Sequence, residues 1–399
     1  MTSLNAQKTD WTLVAALFLM GLFAAAQFGK ISLTLADLGD RYGTTPATTA
    51  LLVSAVGSVG IVLGVVAGNL VARIGLWKAL AWALAAGTAL SLLQASLPPF
   101  WLMLILRVLE GFAHLAIVVI APTFMAAAAS DRDRPVAMSL WAMFFGVAFA
   151  LMALVIPTLL AFGGLQLVFV LHAVGLALTG ALVLWRAPKA TARPVAQIGF
   201  VAAHVQNYQA ARISAPGLGF VFYTLSYVAL LTFVPSLYER PDFGASLPLI
   251  SLLGTLAAGV LARRYRPDAI AAVGFLAVIG ALALFAVNLD FALWVMFFAL
   301  GIIPGACFAA IPYFNASLEE RARSAGTLAQ LGNVGTTLGT PVYALAISAG
   351  GLTGLWGALV VFCVFGICLI AVSARRIARQ DRSSIKSNPS TAREPCRPD

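Results

Sequence analysis

Long uninterrupted apolar runs constrain this chain more than any other feature. No charged side chain occurs between Ala269 and Val287, or between Leu352 and Val372. A run of about 20 apolar residues, wound as a helix, crosses a hydrocarbon core roughly 30 Å thick. A transmembrane barrel would instead alternate polar and apolar residues over short strands. Helices satisfy every backbone group within the segment, so they are the expected solution in lipid. Charged residues make up 10% of the 399 residues, against roughly 25% in an average soluble protein. A soluble fold of this length needs a polar skin that this composition cannot supply. A soluble enzyme, a disordered chain and a nucleic-acid-binding domain are thereby excluded. The class is a polytopic, all-α membrane protein, with the lipid bilayer as its solvent.

Twelve spans are predicted, at roughly 11–37, 46–71, 77–97, 100–128, 136–161, 165–185, 214–238, 245–262, 269–288, 291–315, 326–349 and 352–373. The run from Trp11 is too long for a signal-peptide core and reads as the first span. The expected organisation is a six-helix bundle over 1–186, a linker over 187–213, a second six-helix bundle over 214–373 and a disordered tail over 374–399. The Val195–Arg212 part of the linker reads as an amphipathic surface helix. With the N-terminus in the cytoplasm, 21 of the 25 Lys and Arg fall in segments on that side, and only Arg41 and Arg240 on the other. This positive-inside bias places both termini in the cytoplasm, and it accounts for the net charge of +10 without nucleic acid. The four cysteines, Cys307, Cys363, Cys368 and Cys396, show no metal-ligand spacing and read as packing or tail residues. No motif calls for a metal or cofactor.

The two halves repeat. Gly68, Leu70 and Arg73 recur as Gly259, Leu261 and Arg264, at an offset of 191. Gly111 and Pro122 recur as Gly301 and Pro312, while Asp131, Arg132, Arg134 and Gly146 recur as Glu320, Arg321, Arg323 and Gly335. An even number of spans per half makes this a parallel repeat.

Three stretches resemble the major facilitator superfamily. Gly68-Asn-Leu-Val-Ala-Arg-Ile-Gly75-Leu-Trp-Lys78 is similar to the family's loop signature G-x-L-x-D-R-x-G-R-R/K. Gly259-Val-Leu-Ala-Arg-Arg264 resembles its second copy, and Arg107-Val-Leu-Glu-Gly111 resembles its R-x-x-Q-G element. The resemblance implies two parallel six-helix bundles that rock around a midplane site, with spans one, four, seven and ten lining the cavity. It also implies gating roles for Gly68, Arg73, Gly75 and Arg264. Ala72 stands where the family carries an aspartate, which puts its charge latch in question. Span five lacks the G-x-x-x-G-P-x-x-G-G stretch of drug–proton antiporters. The Arg-x-x-Glu-Gly form resembles the cyanate- and nitroimidazole-transporter-like branch.

Within the spans, Arg107, Glu110 and His114 lie at i, i+3 and i+7, inside about 60° of helical arc. Glu110 sits about 15 Å below Phe100 at 1.5 Å per residue, near the bilayer midplane. Ionisable groups at that depth mark function by default; the plainer reading is an i,i+3 pair in which Arg107 and Glu110 neutralise each other. In the functional reading, Arg107 offers a planar fork for a carboxylate, and Glu110 and His114 are the proton-coupling candidates. Lys30 and Gln27 in span one are binding candidates, although Lys30 lies toward the outer end, where snorkelling to the interface competes. Tyr223 and Tyr227 share a face of span seven, either binding or packing. Gln330, Asn333 and Thr337 form a polar stripe on span eleven, suited to binding or to interhelical hydrogen bonds. His172 in span six reads as a packing residue.

The expected activity is secondary active transport of a small organic solute, an anion by the character of Arg107, with a proton as the coupled ion. The expected particle is a monomer in a bacterial inner membrane. A uniporter, an exchanger and a metabolite or drug exporter of the same fold are the alternatives. A membrane enzyme or receptor is remote: the short loops hold no Ser/His/Asp set, no metal spacing and no phosphate loop.

Overall fold

The structure is a computed structural model and describes residues 8–189, 199–240 and 242–387. Among these residues there are helices and no strand. The first half comprises α1 (Trp11–Ser32), the short α2 (Leu35–Tyr42), α3 (Pro46–Ile74), α4 (Leu76–Ala95), α5 (Phe100–Ala128), α6 (Arg134–Ala142) and α7 (Phe144–Arg186). A linker helix α8 (Phe200–Gln209) follows. The second half comprises α9 (Ala211–Leu237), α10 (Phe243–Leu261), α11 (Pro267–Ala281) with a 3-10 turn at Leu282–Ala286, α12 (Leu289–Phe314) and α13 (Leu318–Ser387).

Nine helices among the described residues are long and apolar enough to cross a membrane. Two of them are each a pair of helices joined across a kink. α7 turns at Gly163 and Gly164, and α13 turns at Gly351. Gly164 (φ 62°) and Gly351 (φ 56°) adopt left-handed backbone, which glycine enters without the Cβ penalty. Divided there, and with the shorter apolar helix Ser246–Leu261 added, the described residues give twelve apolar helical segments in the predicted order.

Three departures from the sequence expectation have clear causes. Span one stops at Ser32, where the Thr34 hydroxyl caps the Lys30 carbonyl at 2.5 Å, and α2 continues separately. The linker is helical over Phe200–Gln209, while 190–198 of the expected 187–213 segment lie outside the described residues. The segment expected to be a disordered tail begins as helix, since α13 runs to Ser387; residues 388–399, with Cys396, lie outside the description.

Within the first half, α5 packs on α1, α3 and α4, and α7 packs on α1 and α4; in the second half, α12 packs on α9, α10 and α11. Asp10 gathers three elements at the face bearing the basic loops. Its carboxylate caps the Leu13 N–H at 3.0 Å and pairs with Arg186 at 3.0 Å, while its own N–H donates to the Ala128 carbonyl at 2.9 Å. The halves meet through α3 against α13 and through α6 against α10 and α12. Trp82, Trp101 and Trp185 are exposed, as befits a lipid-facing perimeter.

Candidate functional site

The buried charge in the first half is assembled from α1, α4 and α5. Lys30 of α1, Arg107 and Glu110 of α5, Gln94 of α4 and the Lys30 partner Ser91, also of α4, are all fully buried. Lys30 Nζ donates to Glu110 Oε1 at 2.7 Å, and Gln94 Nε2 donates to Glu110 Oε2 at 2.7 Å. Arg107 Nη1 pairs with Glu110 Oε2, and Arg107 Nε donates to the Leu52 carbonyl of α3 at 2.9 Å. The i,i+3 spacing on α5 brings the arginine and the carboxylate to one stripe.

Lys30 also donates to Ser91 Oγ at 3.0 Å and lies 3.4 Å from His172 Nδ1 on the second arm of α7. His172 Nε2 faces the Phe23 carbonyl at 2.9 Å. A carbonyl only accepts, so Nε2 carries the ring proton and Nδ1 is the acceptor toward Lys30, while the Ser91 hydroxyl donates its one proton to the Phe169 carbonyl at 2.9 Å. His114 has the opposite tautomer. Its Nδ1 faces two acceptors, the Ala24 carbonyl and Gln27 Oε1, each at 3.0 Å, which leaves Nε2 as a free lone pair. The ring of Phe28 lies edge-on to it with centroids 5.0 Å apart.

The cluster is not neutral: with Lys30 and Arg107 charged, two cations share the single carboxylate of Glu110. Two donors here, Arg107 Nη2 and Gln27 Nε2, and one acceptor, Gln94 Oε1, are buried without a hydrogen-bond partner. An uncompensated cation and unfilled donors in a low-dielectric interior are costly. Their presence fits a site completed by an anion.

The second half contributes aromatics. Tyr223 and Tyr227 stack with centroids 5.0 Å apart, and the Tyr227 hydroxyl meets Ser251 Oγ of α10 at 2.6 Å. Phe297, which the repeat sets opposite Arg107, lies 6.1 Å from the Tyr227 ring. Among the described residues no hydrogen bond or ion pair joins the charged cluster to Tyr223, Tyr227, Gln330 or Asn333.

Gln330 and Asn333 sit instead where α13 crosses α3. Gly57, Gly60, Gly64 and Gly68 form one face of α3 and pass Asn333, Gln330, Ala322 and Arg323 in turn. A Cβ at Gly64 would lie 2.6 Å from Gln330 Cβ, and one at Gly68 would lie 2.7 Å from Arg323 Cα. Only hydrogen side chains permit this approach of two helices. Gly75 turns the chain from α3 to α4 at φ 91°. Arg73 and Arg264 are exposed on the basic-loop face. The ion pair across the halves there runs from Asp133 to the neighbouring Arg263, at 2.8 Å.

By sequence alone Lys30 stands apart from the arginine–glutamate pair and His172 is a packing residue. The structure joins both to the cluster. Ser91 and Gln94 belong to it too, and polar residues three apart on an apolar span are the sequence signal that marks them. Lys30 does not snorkel, because Glu110 offers it a partner at depth.

A model of the Major Facilitator Superfamily matches residues 13–339. No curated protein sequence matches. Among solved structures, the human organic anion transporter MFSD10 (TETRAN) is similar with a TM-score of 0.72 at 16% identity, covering 90% of this chain and 99% of that one. The Escherichia coli fucose:proton symporter FucP is similar with a TM-score of 0.72 at 13% identity, covering 92% and 98%. FucP in its outward conformation gives a TM-score of 0.70 at 13% identity, covering 91% and 98%.

Proposed function

The chain belongs to the major facilitator superfamily, and we propose that it is a secondary active transporter carrying a small organic anion together with a proton by alternating access. The observation that carries this reading is the buried cluster in which Lys30 and Arg107 share one carboxylate while Arg107 Nη2 has no partner. A guanidinium with an unused edge is suited to an incoming carboxylate or similar anion. The stacked tyrosines of α9 suit a less polar end of the same solute.

Coupling follows from competition. Among the described residues Glu110 is the one carboxylate deep in a span, and its oxygens are occupied by Lys30, Arg107 and Gln94. A solute anion that takes Arg107 weakens the hold on Glu110, which then accepts a proton. Anion and proton therefore travel in the same direction. His114, with a free Nε2, is the reserve proton site. The similar fold of an organic anion transporter and of a fucose:proton symporter supports the reading. The basic loops and both termini face the cytoplasm, on the charge bias, and the particle is a monomer in a bacterial inner membrane.

The test begins with a thermal-shift screen of small carboxylates, cyanate-like anions and nitroimidazoles, because a bound solute stabilises by mass action. The hit is then followed in proteoliposomes. Wild type should accumulate it under an imposed pH gradient. Glu110→Gln should retain solute exchange and lose that accumulation. If Glu110→Gln accumulates normally and His114→Gln does not, the proton site is His114. If both accumulate normally, a uniporter or exchanger is the better reading. Chemical conversion of the solute would instead indicate an enzyme.

A further inference from the structure

The linker helix α8 does more than connect the halves. His204, Asn207 and Tyr208 lie at i, i+3 and i+4, so they share one face, and that face points into the crossing of α3 and α13. Asn207 is fully buried. Its Oδ1 accepts from Arg323 Nε at 2.9 Å and Nη2 at 2.6 Å, and its Nδ2 donates to the Val65 carbonyl of α3 at 3.4 Å. The Tyr208 hydroxyl donates to Gln330 Oε1 at 2.8 Å. Gln330 Nε2 donates to the Ile61 carbonyl of α3 at 2.7 Å and lies 3.2 Å from His204 Nε2. His204 Nδ1 faces the Phe200 carbonyl at 2.9 Å, so Nδ1 bears the proton and Nε2 accepts from Gln330. The Gln330 amide is thereby satisfied at both its N–H groups and its oxygen, and none of it is left for a solute in this state.

We propose that α8 is the latch of the gate at the basic-loop face: it holds α3 of the first half against α13 of the second, and the gate opens only when its amide bridge to α3 breaks. The attachment is unequal. Toward α13, α8 has the doubled Arg323 contact and the Tyr208–Gln330 bond, and Arg376 of α13 caps the Tyr208 and Gln209 carbonyls at 3.2 and 3.0 Å. Toward α3 it has one long amide–carbonyl bond of its own and a second through Gln330. On opening, α8 therefore leaves with the second half. This offers a substitute for the family's latch aspartate, whose place Ala72 occupies.

The proposal rests on the alternating-access reading, and its test needs no solute. The purified full chain in lipid nanodiscs is followed by hydrogen–deuterium exchange, comparing residues 61–68 and 322–330 at the gate with 46–56 and 338–349 at the far ends of the same helices. Asn207→Ala should raise exchange at the gate about tenfold, the factor that ~1.4 kcal/mol gives, and should slow exchange at the far ends, because opening one face closes the other. Asn207→Asp, which keeps an acceptor for Arg323 but has no N–H for the Val65 carbonyl, should open like Asn207→Ala while leaving the contact to α13 intact. Unchanged gate exchange in Asn207→Ala overturns the latch. So does a rise at both ends, which marks ordinary loss of packing, and so does an Asn207→Asp variant that stays closed like the wild type. A latch that fails in this way leaves the liposome result untouched, and a failed transport assay leaves this exchange pattern readable.

Discussion

Removing Glu110 should cost far more stability than removing Lys30, and removing both should cost less than removing Glu110 alone. In the folded protein Lys30 and Arg107 converge on one carboxylate, and all three side chains have no exposed surface. Glu110→Gln leaves two buried cations facing a neutral amide. Stranding a buried charge costs about 3–5 kcal/mol, and here two are stranded and repel each other. Lys30→Met takes away the surplus cation. Glu110 keeps Arg107 and Gln94, and Ser91 keeps the Phe169 carbonyl at 2.9 Å. The loss is the ammonium's hydrogen bonds to Glu110, Ser91 and His172, offset by the removal from the interior of a charge that costs several kcal/mol to bury. The net cost should therefore fall well below that of Glu110→Gln. In Lys30→Met/Glu110→Gln only Arg107 remains charged, so the double variant should recover at least about 1 kcal/mol relative to Glu110→Gln, within the usual range for contacting residues. Denaturant unfolding in mixed micelles, followed by the fluorescence of the eight tryptophans, measures all three midpoints. Equal costs for Lys30→Met and Glu110→Gln, or a double variant at the additive sum, would refute the view that this cluster carries excess positive charge.

Arg107→Lys should keep the fold and weaken the apparent affinity for the transported anion by about tenfold or more, since a point charge replaces a two-pronged donor; normal affinity in uptake assays rules out an anion clamp. Gly64→Leu should prevent closure at the basic-loop face, because the crossing there leaves no room for a side chain; spin-label distances between the ends of α3 and α13 should lengthen. Ala72→Asp should favour the state closed at that face, and side-specific accessibility labelling should show it; unchanged labelling would mean that no latch role attaches to this position. The Thr9 hydroxyl, followed by Ser130 and Arg263, holds the Asp133 carboxyl below the ordinary carboxylate range. A lowered folded-state value means the Asp133–Arg263 link is intact above the unfolded value and is lost only as pH falls through the folded one. The distance between the two loops should therefore stay constant from about pH 8 to about pH 5.

Much of this molecule is local in the sequence. Apolar runs of bilayer length dictate helices, because lipid offers backbone groups no other partner. The recurrence of Gly68–Arg73 as Gly259–Arg264 shows the repeat, and the spacing of Arg107, Glu110 and His114 places them on one stripe. These features depend only on residue order and the pitch of a helix. Partnership between helices does not. Lys30 is 80 positions from Glu110, and whether it turns to the headgroups or to that carboxylate depends on how α1 rotates against α5. His172 and Ser91 meet across 81 positions for the same reason. Gln330 reads equally well as a solute ligand or a helix–helix contact until α3 and α8 are seen to occupy its whole amide. Sequence by itself determined the solvent, the helical class, the repeat and the stripe of charge. Tertiary structure alone decided which charges share a carboxylate and which amides close the gate, because those choices are made by side chains of distant helices that meet only after packing.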